Sequence, residues 1–403
     1  LKILHVIPTL DPRAGGPMLI SSHIAAAQAV LGHEVHIMAY RSTAEGQQRI
    51  AAENHRLTGF DRVTLHLLPQ ISWPERILGH HARQLARNLV PQMDALHIHG
   101  IWEPQLLHAA HIARQHHKPY IVLLHGMLLP WSMSRGVWKK RAALFIGARK
   151  MLDHAILQFG SADEQRSARA LGFTGPGAVI PNGCSPEEFT NLPASGTIRT
   201  LHPQLMQDPY VLFLGRLHEQ KGVDLLVAAF QLVLQRLPHT RLMIAGPDYG
   251  RSSQIQVQIQ AAGIGDRLLM TGPIFGTEKL AALRDAACFC LPSRHEGFSL
   301  AVLEALACRT PVVISPECHF PEVAEAGAGL IPPLEPAAIA ESICHLLSNA
   351  DLRNHMADAA QQLVFTRYTW AKVAEQIVDA YSLKPYRSPV QHPVPSSGTP
   401  GEG

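Results

Sequence analysis

Short apolar runs alternate along this chain with longer amphipathic stretches, the pattern of strands joined by crossover helices. Residues 2–7 read as a first strand, followed by a Gly-containing loop and a helix over 17–31. Further strands are predicted at 35–40 and 63–68. Ala95-Leu96-His97-Ile98-His99-Gly100 and Tyr120-Ile121-Val122-Leu123-Leu124-His125-Gly126 each end a strand in His-Gly. Runs at 155–159 and 178–180 complete a first domain over 1–185. Residues 186–209 hold prolines and polar residues without periodicity, so they read as a linker. A second domain is predicted over 210–364. Its first strand is Tyr210–Leu214, and a helix follows with Val223, Leu226, Ala229, Phe230 and Val233 on one face. The apolar run 286–292, a loop, a helix and the β-branched Val312-Val313-Ile314 repeat the pattern. A helix at 365–383 follows, and the Pro-, Ser- and Gly-rich tail 384–403 is predicted to be disordered. Alternation of this kind specifies an α/β fold.

Composition agrees with two α/β domains. A chain of 403 residues is too long for a single core. With 46% hydrophobic and 17% charged residues it reads as a soluble globular protein. Its apolar runs fall short of the ~18 residues that span a bilayer. The chain starts at Leu1, and its first residues read as a strand rather than a signal peptide. Six cysteines without C-x-x-C spacing, mostly in apolar runs, predict reduced thiols and a cytoplasmic location.

The net charge of +3 is uneven. Residues 1–190 carry 19 Lys and Arg against 13 Asp and Glu, and the remainder carries 16 against 19. Residues 135–150 hold six cations and no acid, with Trp138, Phe145 and Leu152 at seven-residue steps. One reading is a helix resting on an anionic inner membrane leaflet, where each cation contributes ~1 kcal/mol. The other is an ordinary helix with this stripe in the core and its cations in water. No aromatic-interleaved basic stripe suggests nucleic-acid binding.

Candidate chemistry concentrates in the second half. In Arg294-His295-Glu296-Gly297-Phe298-Ser299-Leu300, Glu296 falls in a loop, and Glu304 falls about two turns into the following helix. The helix N-terminus between the two carboxylates favours an anion. A ligand with hydroxyls at both ends and phosphate between them fits, as a nucleotide-diphosphate sugar does. Two glutamates eight apart also arise by chance, but a glycosidase pair needs carboxyls roughly 5–10 Å apart. Gly297 permits close backbone approach, and Ser299 could cap the helix or donate to phosphate. Gly215-Arg216 ends the strand Tyr210–Leu214, and Lys221-Gly222 opens the next helix. Arg216 and Lys221 thus bracket the crevice where open α/β sheets bind ligands, and a guanidinium and an ammonium suit a diphosphate. A solvated loop with two surface cations is the alternative. Gly15 and Gly16 between first strand and first helix offer bare N–H groups to phosphate or a sugar hydroxyl, or form a tight turn. His97 and His99 share one face of a strand, but no third ligand is evident nearby, so packing is the expected role. No metal-binding motif is found, and a metal-independent reaction without a cofactor is expected.

Three segments together resemble retaining glycosyltransferases of the GT-B fold, specifically glycosyltransferase family 4. They are Gly215-Arg216 with Lys221-Gly222, the E-x7-E pattern from Glu296 to Glu304, and the Asn-Gly turn in Ile180-Pro181-Asn182-Gly183. The resemblance spans roughly residues 1–382 and is strongest over 210–335. It implies two Rossmann-like domains facing each other across a cleft, with the last helix crossing back to the first. It also implies an NDP-sugar donor and a glycan or lipid-linked acceptor in bacterial cell-surface polysaccharide synthesis. Glu304 would then hold the ribose, Arg216 and Lys221 the diphosphate, and Glu296 the sugar hydroxyls. Gly297, Phe298, Ser299 and Leu300 would contribute to donor binding, Gly15 and Gly16 would face the donor, and His125 would lie near the reacting sugar. Arg309 stands where the family usually ends the helix in glycine, and a left-handed cap there would cost ~1 kcal/mol. A nucleotide-sugar epimerase or phosphorylase, or a catalytically silent GT-B partner in a polysaccharide-assembly complex, remains an alternative.

Overall fold

Strands that are apolar on both faces need helices on both faces, and the structure supplies them. The computed structural model of the protein describes residues 1–383, so the predicted tail at 384–403 lies outside the described residues. The first sheet has seven strands: β1 (Lys2–Val6), β2 (Glu34–Tyr40), β3 (Thr64–Leu68), β4 (Ala95–His99), β5 (Tyr120–Leu123), β6 (Ile156–Phe159) and β7 (Gly177–Val179). Their order is β3-β2-β1-β4-β5-β6-β7, with every pair parallel. The second sheet holds β8 (Tyr210–Leu214), β9 (Arg241–Ala245), β10 (Leu268–Gly272), β11 (Cys288–Leu291), β12 (Val312–Ile314) and β13 (Gly329–Leu330). It is also parallel, in the order β10-β9-β8-β11-β12-β13. Strand order reverses between β1 and β4 and between β8 and β11. These are the switch points where open sheets leave a crevice beyond the strand ends.

On the first sheet, Leu4, Val6, Leu96, Ile98, Val122 and Leu157 bury one face. Ile3, Ala95, Ile121 and Ile156 bury the opposite face beneath Ile20 and Ile24 of the helix Gly16–Val30. Trp370, Val373 and Ile377 of the helix Trp370–Ala380 join this second layer, so the last described helix packs on the first lobe. The chain crosses between lobes twice at one place. There the Cys184 N–H donates to the Tyr368 carbonyl (2.7 Å), and the Trp370 N–H donates to the Cys184 carbonyl (3.0 Å).

Three local features depart from the sequence pattern. Residues 186–209 contain the short helix Thr197–Leu201, and Phe189, Ile198 and Leu205 are buried in the second lobe's core. Asp285 receives the N–H groups of Gly196 (2.9 Å) and Ile198 (3.4 Å), so this stretch is packed and not extended. Trp138 and Phe145 are 81% and 93% exposed, whereas Leu152 is fully buried. A π-helical turn over Leu144–Ala148, with Gly147 at non-helical angles, resets the helix phase and breaks the seven-residue stripe. Arg309 has φ 63°; its N–H donates to the Leu306 carbonyl, and the Thr310 N–H donates to the Ala305 carbonyl. This is the Schellman closure that glycine usually makes, taken by an arginine that pairs with Asp358.

Histidines are unusually deep in this fold. Burial pushes His5, His23 and His295 down to about 4 and His125 down to about 3, and it holds His97 and His99 well below the usual range. In the unfolded chain these rings gain protons near pH 6.5, which the folded chain refuses until well below that. Stability is therefore complete above pH 6.5 and drains away as pH falls below it, by up to ~1.4 kcal/mol per ring per pH unit. We predict a steep fall in Tm between pH 6.5 and 5, above the range where most carboxylates titrate. A Tm unchanged from pH 7 to pH 5 would contradict the neutral burial of these rings.

Candidate active site

The loops that leave the two switch points meet each other. The loop after β8 carries Gly215 and Arg216, and the helix Val223–Arg236 begins after Gly222. Gly222 is left-handed at φ 66°, and a Cβ there would lie 1.9 Å from the Pro292 carbonyl oxygen. Only glycine lets this helix start touch the loop leaving β11. That contact brings Lys221 to Glu296, and Lys221 Nζ donates to Glu296 Oε1 at 2.5 Å. Ser293 Oγ donates to the same oxygen at 2.6 Å. Glu296 is 6% exposed, so its charge is compensated where water scarcely reaches. Arg294 fixes the frame with paired hydrogen bonds to Asp224 (2.8 and 2.6 Å) and a third to the Glu219 carbonyl (2.8 Å).

The helix Leu300–Ala307 follows, with Ser299 as its N-cap. The Ser299 side chain makes no capping bond, so the first N–H groups of the helix stay open to an anion. Glu304 is the fifth residue of this helix, nearer its start than the sequence spacing suggested. Lys279 Nζ donates to Glu304 Oε1 at 2.9 Å. The Arg216 guanidinium lies 5.2 Å from the ring centroid of Tyr249. The Tyr249 hydroxyl in turn donates to the Arg13 carbonyl (3.4 Å), two residues before Gly15. Gly15 is the N-cap of the helix Gly16–Val30 at φ 107°, and Gly16 is its first residue. The glycine loop of the first lobe is thereby tied to the tyrosine whose ring lies under the Arg216 guanidinium.

One junction between the lobes is backbone against backbone. A Cβ on Gly126 would lie 3.1 Å from Gly297 Cα, and one on Gly297 would lie 3.1 Å from the Gly126 nitrogen. His125 immediately precedes this contact in a left-handed conformation, φ 52°. Burial keeps its ring neutral at pH 7. Glu164 positions the junction, its two oxygens accepting the N–H groups of Gly126 (2.5 Å) and Gly160 (2.7 Å). Burial raises Glu164 to about 7 even though those two bonds pull it down. Asn182 Nδ2 donates to the Phe298 carbonyl (3.0 Å), and the Phe298 ring packs on Phe320 and Tyr368. His319 pairs with Asp163 (3.0 Å), Arg135 pairs with Glu219 (2.9 Å), and the Trp131 ring stacks on His295.

Of the residues singled out from sequence, Lys221 and Glu296 are in direct contact. Gly297, Phe298, Ser299 and His125 gather beside them. Arg216, Gly15 and Gly16 are linked through Tyr249, and Leu300 packs toward the first lobe beneath the Trp370 helix. Glu304 bonds Lys279 rather than any of the others. Sequence reasoning missed Lys279, Tyr249, Ser293, Glu164 and Trp131, all set in place by contacts between segments distant in the chain. It also missed His5, which joins His97 and His99. The three ring centroids lie 4.4–5.2 Å apart, with His99 stacked on both of the others.

Comparison with known proteins gives this cleft a context. The family profile described as "Glycosyl transferases group 1" matches residues 197–363, and "Glycosyl transferase 4-like domain" matches residues 15–183. A phosphatidyl-myo-inositol mannosyltransferase of Mycobacterium leprae is 30% identical over 296 residues, 72% of this chain and 73% of the relative. A GDP-mannose:cellobiosyl-diphosphopolyprenol alpha-mannosyltransferase of Xanthomonas oryzae pv. oryzae is 24% identical over 94% of this chain and 96% of its own. The Anabaena protein Alr3699/HepE, solved in complex with UDP and glucose, superposes with a TM-score of 0.76 at 18% identity, over 95% of this chain and 99% of its own. WaaG, a glycosyltransferase involved in lipopolysaccharide biosynthesis, superposes with a TM-score of 0.68. Two parallel sheets, opposed switch points and these matches lead to one conclusion: the chain is a glycosyltransferase of the group 1 family, with the GT-B fold.

Proposed function

We propose that this glycosyltransferase moves a hexosyl group with retention of configuration from an NDP-sugar to a lipid-linked or glycan acceptor. The observation that carries the reading is the assembly at the second switch point. Lys221, Glu296 and an uncapped helix N-terminus meet there, and Arg216 sits at the adjacent strand end. The names of the Mycobacterium and Xanthomonas relatives favour mannose as the sugar and a lipid-borne acceptor. An intact set of cations and carboxylates favours turnover over a silent binding role, and the named relatives favour transfer over epimerisation.

In this reading the diphosphate lies across the helix start at Ser299 and is held by Arg216 and Lys221. The sugar's bond to the leaving phosphate breaks as the acceptor oxygen bonds to the same face of the anomeric carbon. The phosphate oxygen takes the acceptor's proton, so no protein nucleophile is needed. Charge grows on the departing diphosphate, and two fixed cations stabilise it where it grows. Glu296 both orients Lys221 and offers its second oxygen to sugar hydroxyls, while Glu304 takes the ribose. His125 is neutral and acts as a hydrogen-bonding wall to the sugar rather than as an acid. None of these steps calls for a metal ion.

The acceptor side faces the first lobe. Trp138, Phe145 and Ile146 (78% exposed) form an apolar tip flanked by Lys139, Arg141 and Lys150. No helix among the described residues is long and apolar enough to cross a membrane. An interfacial tip of this kind would instead let a cytoplasmic enzyme rest on anionic lipid and reach a lipid-borne acceptor.

Two outcomes are expected. Arg216→Ala and Lys221→Ala each lower kcat by at least about 10²-fold, the scale of losing one charge-stabilising contact, with unchanged circular dichroism. Near-normal rates in both variants would overturn the assignment. In liposome co-sedimentation, anionic vesicles pellet the protein and neutral ones do not, and Phe145→Ser with Trp138→Ser abolishes the difference. Equal pelleting with both vesicle types would remove the membrane role.

A further inference from the structure

A layer of imidazoles lies behind the cleft, between the first sheet and the helix Gly16–Val30. His5 projects from β1 and His97 and His99 from β4, with His5 in register with His97. All three are buried, at 0%, 0% and 2% exposure. One ligand atom from each lies within 4.8 Å of those of the other two. His5 Nε2 hydrogen-bonds Gln28 Oε1 (2.8 Å). An amide oxygen only accepts, so this bond puts the His5 proton on Nε2, and His5 Nδ1 accepts the His99 Nε2–H (2.9 Å), a bond that a shared ion would replace once His99 carries its proton on Nδ1.

The other two rings are underemployed. Both nitrogens of His97 and Nδ1 of His99 are buried with no hydrogen-bond partner among the described residues. Gln158 faces His97, and its Oε1 has no partner within ordinary hydrogen-bond distance. An unpartnered buried nitrogen is costly, and an ion held by one nitrogen of His97 would relieve that ring.

We propose that His5, His97 and His99 form a buried binding site for a divalent transition-metal ion of the zinc class. Three imidazoles with a fourth position left open form an established zinc donor set. The Gln28 bond to His5 is the outer contact that holds a ligating ring with its lone pair turned inward. Bonds of ~2.0–2.1 Å in a tetrahedron separate ligand atoms by roughly 3.3 Å, so the rings need to close by at most about 1.5 Å. The ion would tie β1 and β4 to the helix that begins at the glycine loop. Its burial keeps it away from substrate, so its role is structural, and it leaves the proposed transfer chemistry unchanged.

The test uses the full chain with any affinity tag removed, incubated with Zn²⁺ and desalted. About one zinc per chain is expected by mass spectrometry. X-ray absorption should show nitrogen neighbours at ~2.0–2.1 Å. His97→Gln should retain less than a tenth of that zinc with unchanged circular dichroism, and a control variant of the exposed pair His116 and His117 should keep it. Absence of stoichiometric zinc in the wild-type chain would overturn the proposal, as would oxygen-only coordination or full retention by His97→Gln. If His97→Gln fails to fold, the wild-type absorption spectrum alone decides.

Discussion

The geometry of the cleft depends on two glycines that touch without side chains between them. Gly126 and Gly297 belong to different lobes, and each Cβ would fall 3.1 Å from the other's backbone. A methyl group at either position would push apart the loops that carry His125 and Glu296. Because they touch, the end of β5 in one sheet sits against the start of the helix after β11 in the other. Glu164 fixes the first of these loops by accepting the Gly126 N–H, and Asn182 fixes the second by donating to the Phe298 carbonyl. The close approach thus sets the His125 backbone against the loop whose carboxylate is already bonded to a lysine.

Charge in the cleft is arranged in pairs that a ligand can exchange. Lys221 with Glu296 and Lys279 with Glu304 neutralise each other in the free protein. A diphosphate entering between Arg216 and Lys221 would share the lysine and release part of Glu296 toward the sugar. The exchange replaces one buried pair with another, which limits its desolvation cost. In the proposed function, that exchange favours a ligand that carries phosphate and hydroxyls together over an uncharged sugar alone.

Much of the frame was legible from sequence because parallel strands buried on both faces leave continuous apolar runs, and all the strands expected from such runs are present within one or two residues. The proposed donor-side residues were picked out for a related reason: Arg216 and Glu296 sit just past strand ends, where sheet topology puts ligands. What stayed hidden depends on contacts across the chain. His5 and His99 are 94 positions apart, and no spacing rule pairs them. Asp285 orders residues 186–209 from outside that segment, so a stretch without periodicity is nevertheless packed. A π-helical turn removed Leu152 from a stripe that a regular helix would have kept. The left-handed Arg309 was foreseeable, because the helix must end before β12 whatever residue stands there.

A crystal structure of the protein soaked with GDP-mannose or UDP-glucose tests the central claim most directly. The account predicts the diphosphate between Arg216 and Lys221 at the helix start after Ser299, the ribose at Glu304 and the hexose between Glu296 and His125. A nucleotide bound elsewhere, or a cleft that stays empty with the Lys221–Glu296 pair undisturbed at saturating ligand, would contradict it.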